Sequence, residues 1–300
     1  MSRPIPLYVN RNIPESERRA AAYGGAIFLY SAPAASTALV EWARLVAREG
    51  LQLDDPTVAH RKLAVEEFVR RAAPAKSRFT NDMKTRELCK ELIVKMGYDP
   101  ERTYFDLPRL RIVPPSSYLA AGVSYNYKPH RDTWYSHPKQ LINFWIPVFD
   151  SLQDTVMSMY LDYFDTPVMN RSSEWDYDEW VKNSRFVANQ NIQAEARPHP
   201  VPMEDVSGST DLRIIQNAGD ILLFSTCQLH ASAPNVADVT RLSFDLRTLD
   251  IDDLIHDRGP VNLDGRSTGS TLRDFLRVSD FEPLDPAVVG VRSRGECATA

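Results

Sequence analysis

Apolar residues recur at helical spacing through the first hundred positions of the chain. After Ser36, which we interpret as an N-cap, they follow one helix face until Gly50. Two further amphipathic helices are predicted over 63–71 and 86–96. The pattern therefore predicts a mostly helical flank over 1–104.

From about residue 105 short β-strands are predicted. Around the segment 118–128 and over 241–247 apolar and polar positions alternate with period two, which is typical of half-buried strands. Strands are predicted over 107–113, 118–128, 140–149, 156–160, 212–216, 221–225 and 241–249. Short strands separated by turn residues favour a jelly-roll or cupin-like barrel. The expected fold class is mainly β with flanking helices, α+β overall.

We expect one domain over 1–300, because a chain of 300 residues that is 43% hydrophobic can bury one large core. The jelly-roll core would occupy 105–250, and 251–300 would form a C-terminal extension. The irregular segment 162–209 is rich in aromatic and acidic residues, and we interpret it as an insertion that covers the barrel mouth. A satellite core made by its aromatic side chains is the alternative.

Charge and cysteine content exclude several functional classes. A net charge of -5 at pH 7 argues against a nucleic-acid-binding surface, which needs a strongly basic face. Cys89, Cys227 and Cys297 are far apart and form no CxxC pair, which suits a reduced cytoplasm. Neither a signal peptide nor a long apolar run is found. We therefore expect a cytoplasmic protein that acts on a small molecule and binds neither nucleic acid nor a membrane.

A possible metal site is formed by His130 and Asp132 together with the distant His230. Side chains two residues apart on a strand project to the same face, so His130 and Asp132 could reach one ion. We predict two strands joined by a turn over 133–139, with the pair at the end of the first strand. A lone His-x-Asp triplet is weak evidence, but a second histidine would complete the facial arrangement used by non-haem Fe(II) oxygenases.

The strand that follows His230 carries a second polar cluster. Strict alternation places Arg241, Ser243, Asp245 and Arg247 on one face, and Leu242, Phe244 and Leu246 on the other. An arginine inside a barrel needs a partner carboxylate, which a bound dicarboxylate would supply through paired hydrogen bonds. The alternative is that Arg241 pairs with a protein acid or points to solvent.

The ordered set His130-x-Asp132, His230, Arg241 and Ser243 resembles the Fe(II)/2-oxoglutarate-dependent dioxygenases, most closely the phytanoyl-CoA dioxygenase-like branch. The resemblance implies a double-stranded β-helix in which the two histidines and the aspartate bind Fe(II). It also implies that Arg241 holds the distal carboxylate of 2-oxoglutarate, that Ser243 assists, and that O2 is the second cosubstrate.

The metal-chelating end of 2-oxoglutarate has two candidate partners in the strand over 140–149. Gln140 and Asn143 are polar residues in an otherwise apolar run. Alternation places them on opposite faces, so at most one is expected to contribute.

The resemblance implies oxidation of an unactivated C–H bond, with decarboxylation of 2-oxoglutarate to succinate and CO2. Related halogenases replace the metal-binding carboxylate with a small residue, whereas Asp132 is present here. Hydroxylation is therefore the expected reaction. Desaturation or cyclisation by the same oxidant, and a non-catalytic cupin-like metal sensor or scaffold, are the alternatives.

Aromatic residues near the triplet and in the insertion are candidates for the substrate pocket. We predict that Trp134, Tyr135 and Trp175 contact the substrate. The basic residues Arg109, Arg111 and Lys128 could meet an anionic substrate or face water. The other histidines, His60, His137, His199 and His256, are predicted at surface or turn positions.

Overall fold

The computed structural model describes residues 4–190, 192–206 and 210–289. Its helices are α1 (Glu15–Tyr23), α2 (Ala34–Leu51), α3 (Ala59–Lys62), α4 (Val65–Asn81), α5 (Met83–Lys95), α6 (Tyr177–Asn183) and α7 (Ile251–Ile255). Its strands are β1 (Leu7–Val9), β2 (Ile27–Tyr30), β3 (Thr103–Asp106), β4 (Arg109–Val113), β5 (Ile142–Pro147), β6 (Met157–Tyr160), β7 (Asp211–Arg213), β8 (Ile221–Ser225), β9 (His230–Ser232), β10 (Arg241–Asp250) and β11 (Phe275–Arg277).

The strands form two sheets. In the larger sheet the order is β1-β2-β8-β5-β10-β3-β11, and β4 pairs with β10 beside β3. In the smaller sheet the order is β7-β6-β9. Only β1 and β2 pair in parallel among the described strands. The predicted fold class, mainly β with flanking helices around a jelly-roll core, is confirmed.

The long strand β10 separates two environments, as its alternation predicts. Leu242, Phe244 and Leu246 are buried in the core shared with the helices of the flank. The opposite face of the sheet packs against the smaller sheet, through a cluster that includes Trp145, Phe224 and Met159. The polar residues of β10 lie on this second face, and the space between the two sheets holds the candidate site.

Helix α2 begins two residues before the predicted N-cap. The residue before its first turn is Pro33, and the hydroxyl of Ser36 instead donates to the Gly219 carbonyl at 2.5 Å. Gly50 lies inside the helix, where an added Cβ would overlap Ala75 of α4. The glycine therefore allows α2 and α4 to approach closely instead of ending the helix.

The prediction of a strand over 118–128 is wrong. Gly122–Ser124 forms a 3-10 helix, and Gly122 has a φ of 60°. The Gly122 N–H donates to Glu195 at 2.9 Å, and its carbonyl accepts from Arg197 at 2.9 Å. Side chains of the insertion thus satisfy the backbone groups that a neighbouring strand would otherwise pair.

Several short strands were not predicted. Strands β1 and β2 come from the helical flank and join the larger sheet at its edge, while β3 crosses the proposed boundary at residue 104. The division of the chain into flank, core and extension stays a prediction. Residues 290–300, with Cys297, lie outside the described residues, and Cys89 and Cys227 are free and buried. Within the described ranges, no helix combines the length and apolar composition required to span a bilayer.

Candidate metal centre

Three side chains with metal-binding atoms meet between the two sheets. One ligand atom from each of His130, Asp132 and His230 lies within 4.8 Å of the others. The Oδ1 atom of Asp132 is 3.5 Å from Nε2 of His130 and 3.8 Å from Nε2 of His230. All three residues are at most 5% exposed, so the set is enclosed by protein. The triad predicted from two remote stretches is therefore assembled.

Backbone hydrogen bonds join those two stretches directly. The N–H groups of His130 and His230 each donate to the other residue's carbonyl at 2.9 Å. The Asp132 N–H donates to the Thr226 carbonyl at 3.0 Å, and a 3-10 helix begins at Asp132. His130 therefore makes an isolated bridge to β9 and, contrary to the prediction, does not end a regular strand. The bridge places both imidazoles on the same side of the backbone pair.

Both histidines present the same ring nitrogen to the centre. Nδ1 of His130 lies 2.7 Å from the Lys128 carbonyl, and Nδ1 of His230 lies 2.9 Å from the Gln228 carbonyl. Because a carbonyl only accepts, each Nδ1 must carry the proton, which leaves the Nε2 lone pair free for a metal. Burial, together with the neighbouring His130, lowers the pKa of His230 to about 4, so the ring is neutral at pH 7.

Two hydrogen bonds fix the Asp132 carboxylate through the oxygen that faces away from the histidines. Its Oδ2 accepts from Asn143 Nδ2 at 2.8 Å and from Arg247 Nε at 3.0 Å. Arg247 also donates to Asp106 at 3.0 Å, so one guanidinium joins two buried carboxylates. Burial acts to raise the pKa of Asp132, but Arg247 and the two histidines of the centre outweigh it and hold the pKa well below its usual value.

Arg241 and Ser243 lie on the cavity side of β10 with their polar atoms unpaired. Within the described part of the chain, Nε and Nη1 of Arg241 and Oγ of Ser243 are buried without a hydrogen-bond partner. Arg241 is 8% exposed and makes no ion pair with a described acid, and burial lowers its pKa to about 10. These donors are costly to bury unless a ligand satisfies them.

Gln140 and Asn143 have different surroundings. Asn143 lies in β5, whereas Gln140 lies in the turn before this strand, so alternation does not apply to it. The side chain of Asn143 lines the cavity and donates to Asp132. The side-chain amide of Gln140 instead donates to Asp257 at 3.1 Å, and its backbone carbonyl accepts from the Tyr23 hydroxyl. We therefore correct the expectation for Gln140, which we leave out of the proposed cosubstrate contacts.

Two of the three predicted substrate residues line the cavity. Tyr135 lies beside the metal centre, with its ring centroid 5.1 Å from that of His130, and Trp175 packs on Tyr135 at 4.9 Å. Trp134 is fully buried and donates through Nε1 to Asp264 at 2.7 Å. Its ring packs in the cluster behind the cavity wall. We therefore correct the prediction for Trp134.

Two of the histidines predicted at surface or turn positions have side chains that are largely inaccessible to solvent. His137 lines the cavity and its Nδ1 lies 3.0 Å from the Thr271 hydroxyl. The His199 ring stacks on Tyr125, with centroids 4.0 Å apart. By contrast, His256 is exposed. The proximity of His137 to the triplet was the available signal, whereas no local pattern marks His199.

The basic residues near the centre differ in their surroundings. Arg109 and Arg111 line the cavity, whereas Lys128 is exposed. Arg111 makes two hydrogen bonds to Asp245, at 2.6 and 3.1 Å. Strand alternation already placed Asp245 on this face, but the pairing with Arg111 depends on the register of β4 against β10.

The cavity itself measures about 950 Å³ when its open mouth is included. The larger sheet lines it with residues of β4, β5, β8 and β10, and the smaller sheet lines it with residues of β6 and β9. Trp175, Tyr177 and Trp180 of the insertion complete the wall. The candidate metal centre is thus reached through a pocket that opens to solvent.

Comparisons with known proteins give distant structural resemblances. No protein-family model and no curated protein sequence matches the chain. It resembles EvdO2 from Micromonospora carbonacea var. aurantiaca complexed with 2-oxoglutarate, with 13% identity, 58% of this chain and 62% of that chain covered, and a TM-score of 0.37. The matched part therefore spans about three fifths of the EvdO2 chain.

Two further resemblances are to enzymes of nogalamycin biosynthesis. The epimerase SnoN, in complex with Fe3+, alpha ketoglutarate and nogalamycin RO, is 12% identical over 78% of this chain and 83% of that chain, with a TM-score of 0.41. The carbocyclase SnoK is 11% identical over 69% and 70%, with a TM-score of 0.35. At these identities and scores no activity passes to this chain, and the phytanoyl-CoA dioxygenase-like branch stays a prediction.

Proposed function

We propose that this chain is an Fe(II)- and 2-oxoglutarate-dependent oxygenase that oxidises a C–H bond of a small organic molecule. One observation carries the proposal: a triad of two histidines and one carboxylate shares a cavity with Arg241, whose buried donors, like the Ser243 hydroxyl, lack a partner among the described residues. A metal site and a carboxylate site in one cavity are what this chemistry requires.

The residues of the triad fit Fe(II). His130 and His230 would bind through Nε2 and Asp132 through Oδ1, since these are the atoms that face one another. Two imidazoles and one carboxylate are the donor set of the facial non-haem iron site. When bound, Fe(II) with 2-oxoglutarate and O2 supplies the oxidant for C–H cleavage, while 2-oxoglutarate is converted to succinate and CO2.

The residues of β10 fit the distal carboxylate of 2-oxoglutarate. Arg241 offers a guanidinium that pairs with no acid in the described part of the chain, and Ser243 offers a hydroxyl two residues further along the same face. A carboxylate that accepted from both would satisfy donors that are otherwise buried without partners. Binding of 2-oxoglutarate would thus remove an unfavourable feature of the free protein.

The remaining task of the protein is to position the substrate and exclude water. Tyr135 and Trp175 form an apolar wall beside His130, so a molecule in the cavity would be shielded on that side. No side chain needs to act as a general acid or base. We propose hydroxylation as the outcome, because Asp132 occupies the ligand position that a halide takes in related halogenases.

Anaerobic titration tests the proposal. Fe(II) followed by 2-oxoglutarate should produce a visible metal-to-ligand charge-transfer absorption that neither component gives alone. Asp132→Ala should abolish this absorption and the formation of succinate on admission of O2. Asp220→Asn is the matched control, because Asp220 is a buried aspartate that accepts from the backbone N–H groups of Ala32 and Asn217.

The absence of the charge-transfer absorption in folded wild-type protein would contradict the proposal and favour a non-catalytic metal-binding protein. Retention of succinate formation by Asp132→Ala would show that the metal lies elsewhere. Once a substrate is found, product mass separates the reaction types. Hydroxylation adds one oxygen atom, whereas desaturation or ring closure removes two hydrogen atoms.

A further inference from the structure

One wall of the cavity is a continuous series of aromatic rings that begins at the metal centre. The ring of Tyr127 lies 5.4 Å from that of His130, and Tyr127 and Tyr135 lie 5.8 Å from each other. Trp175 packs on Tyr135 at 4.9 Å, and Trp180 packs on Trp175 at 4.7 Å. These four residues, Tyr127, Tyr135, Trp175 and Trp180, line the cavity and are called the aromatic wall.

The four guanidinium groups that line the cavity are not equally compensated. Arg111 is paired with Asp245, and Arg247 is paired with Asp132 and Asp106. Arg241 is assigned above to 2-oxoglutarate. Arg109 is the fourth guanidinium, and it has no hydrogen bond to any described residue.

The nearest described carboxylate to Arg109 does not neutralise it. Asp274 Oδ2 lies 3.9 Å away, at the limit of an ion pair. That oxygen already accepts from the Tyr177 hydroxyl at 2.5 Å and from Arg185 at 2.8 Å. Asp106, whose charge also acts on Arg109, is hydrogen-bonded to Arg247. Both acids near Arg109 are thus engaged by other arginines, which leaves the Arg109 donors free for a ligand in the cavity. The Arg109 side chain is 32% exposed, so it is open to a ligand there.

We propose that the substrate carries a flat aromatic ring system and a carboxylate, with the ring against the aromatic wall and the carboxylate on Arg109. This inference rests on the proposed function. Aromatic rings recognise planar molecules by offset stacking or edge contacts, and a guanidinium matches the two oxygens of a carboxylate. The Trp175 indole N–H is also buried without a partner in the described ranges, which adds a donor to the wall.

The test measures binding to the protein loaded anaerobically with Fe(II) and 2-oxoglutarate, so that Arg241 is already occupied. The probes for calorimetry are 2-naphthoate, the uncharged 2-naphthamide and the saturated decahydro-2-naphthoate. We expect 2-naphthoate to bind roughly ten-fold more tightly than either of the other two. The charge-transfer absorption reports separately on the proposed function, so a failure of one inference is distinguishable from a failure of the other.

Variants at two positions assign the preferences to residues. Arg109→Gln should erase the difference between 2-naphthoate and 2-naphthamide, and Arg109→Lys should retain part of it. Trp180→Leu should reduce the difference between the aromatic and saturated acids, and Trp180→Phe should retain it. Arg70→Gln is the matched control, because Arg70 lies on the exposed face of α4 with a side chain 70% exposed.

Three results would overturn the proposal while the charge-transfer absorption persists in the wild-type protein. The first is equal binding of the three probes. The second is an undiminished preference for 2-naphthoate over 2-naphthamide in Arg109→Gln. The third is loss of 2-oxoglutarate binding in Arg109→Gln, which would assign Arg109 to the cosubstrate.

Discussion

The Asp132 carboxylate presents one oxygen to the histidines and keeps the other occupied. Oδ1 lies within 3.8 Å of both Nε2 atoms, whereas Oδ2 accepts from Asn143 and from Arg247. Because those two hydrogen bonds occupy Oδ2, we infer that a metal would be bound through Oδ1 alone. Partners of this kind orient a ligating carboxylate and raise metal affinity.

Replacing Asn143 should therefore weaken metal binding without removing a ligand. We expect Asn143→Ala to raise the dissociation constant for Fe(II) about 10- to 100-fold, because Oδ2 loses a donor and the carboxylate can rotate. Asn143→Asp should be more harmful, since a second carboxylate would face Asp132 at hydrogen-bond distance. Anaerobic competition with a coloured chelator measures the constant, and circular dichroism checks the fold.

The buried amide of Asn235 provides the control for this variant. Asn235 Nδ2 donates to the Val113 and Val239 carbonyls and does not line the cavity. Asn235→Ala should lower the free energy of unfolding by about 1 kcal/mol or more, with Fe(II) affinity unchanged. Equal Fe(II) affinities for Asn143→Ala and the wild-type protein would show that Arg247 alone is sufficient to orient Asp132.

At the scale of elements, a strand is predictable where its two faces meet different surroundings. The residues of β10 alternate because one face packs on the helices and the other faces the cavity. The segment over 118–128 carries a similar alternation, yet it forms no strand. Its backbone groups at Gly122 are satisfied by Glu195 and Arg197, which are more than 70 positions away in sequence. Such distant partners leave no local pattern.

Some features of the candidate site are likewise predictable from the sequence, and others are not. The clustering of His130, Asp132 and His230 is predictable, because their residue types and order are those of a metal-binding triad. The hydrogen bonds of Asn143 and Arg247 to Asp132 depend instead on the register in which Asn143 lies opposite Arg247 in adjacent strands. Register between remote strands is a tertiary property, so sequence spacing alone does not reveal these contacts.

The packing of α4 against Gly122–Ser124 buries the amino group of Lys76, which lowers the stability of the folded state. Lys76 donates to the Val123 carbonyl and lies near Arg111 and Arg197, with Asp245 as the opposing charge. Burial, followed by the two arginines, lowers the pKa of Lys76 to about 7. In the unfolded chain this pKa is near 10.5. The destabilisation that Lys76 causes is therefore absent above pH 10.5. It grows as the pH falls toward 7, because over this range the unfolded state binds the proton more readily than the folded state.

Lys76→Met should consequently stabilise the protein at neutral pH. We expect its free energy of unfolding to exceed that of the wild-type protein by on the order of 2 kcal/mol at pH 7. This difference should shrink as the pH rises from 7 to 9, because keeping the Lys76 amino group neutral costs less free energy as the pH approaches 10.5. Urea unfolding at three pH values gives the comparison, with the exposed Lys95→Met on α5 as the control. A difference that grows with pH would contradict the assignment.

At the scale of the whole molecule, the cavity has a charge opposite to that of the chain. The chain carries a net charge of -5, yet four guanidinium groups and two carboxylates line the cavity. Such a positive cavity in an acidic protein attracts anions and repels cations other than those its carboxylate and histidines bind. The free protein must bear the energy of these buried charges until ligands neutralise them.

Arg241 tests this trade between stability and binding. We expect Arg241→Met to raise the melting temperature of the metal-free protein, because an unpaired buried charge is replaced by an apolar side chain, a change of about 1 kcal/mol or more. The same variant should lose the stabilisation that 2-oxoglutarate gives to the Fe(II)-loaded protein. In the wild-type protein that stabilisation is about 2.7 kcal/mol at a ligand concentration one hundred times the dissociation constant.

Arg111 is the matched comparison, because it lies on the neighbouring strand and is paired with Asp245. Arg111→Met should lower the melting temperature, since it leaves Asp245 buried and without its main partner, at a cost of about 3 kcal/mol. Anaerobic calorimetry with and without 2-oxoglutarate measures both melting temperatures. Changes of opposite sign in the two arginine variants would show that the unpaired Arg241 guanidinium lowers stability and serves ligand binding. If Arg241→Met destabilises the protein as Arg111→Met does and still responds to 2-oxoglutarate, Arg241 is a structural residue, and the dicarboxylate binds elsewhere in the cavity.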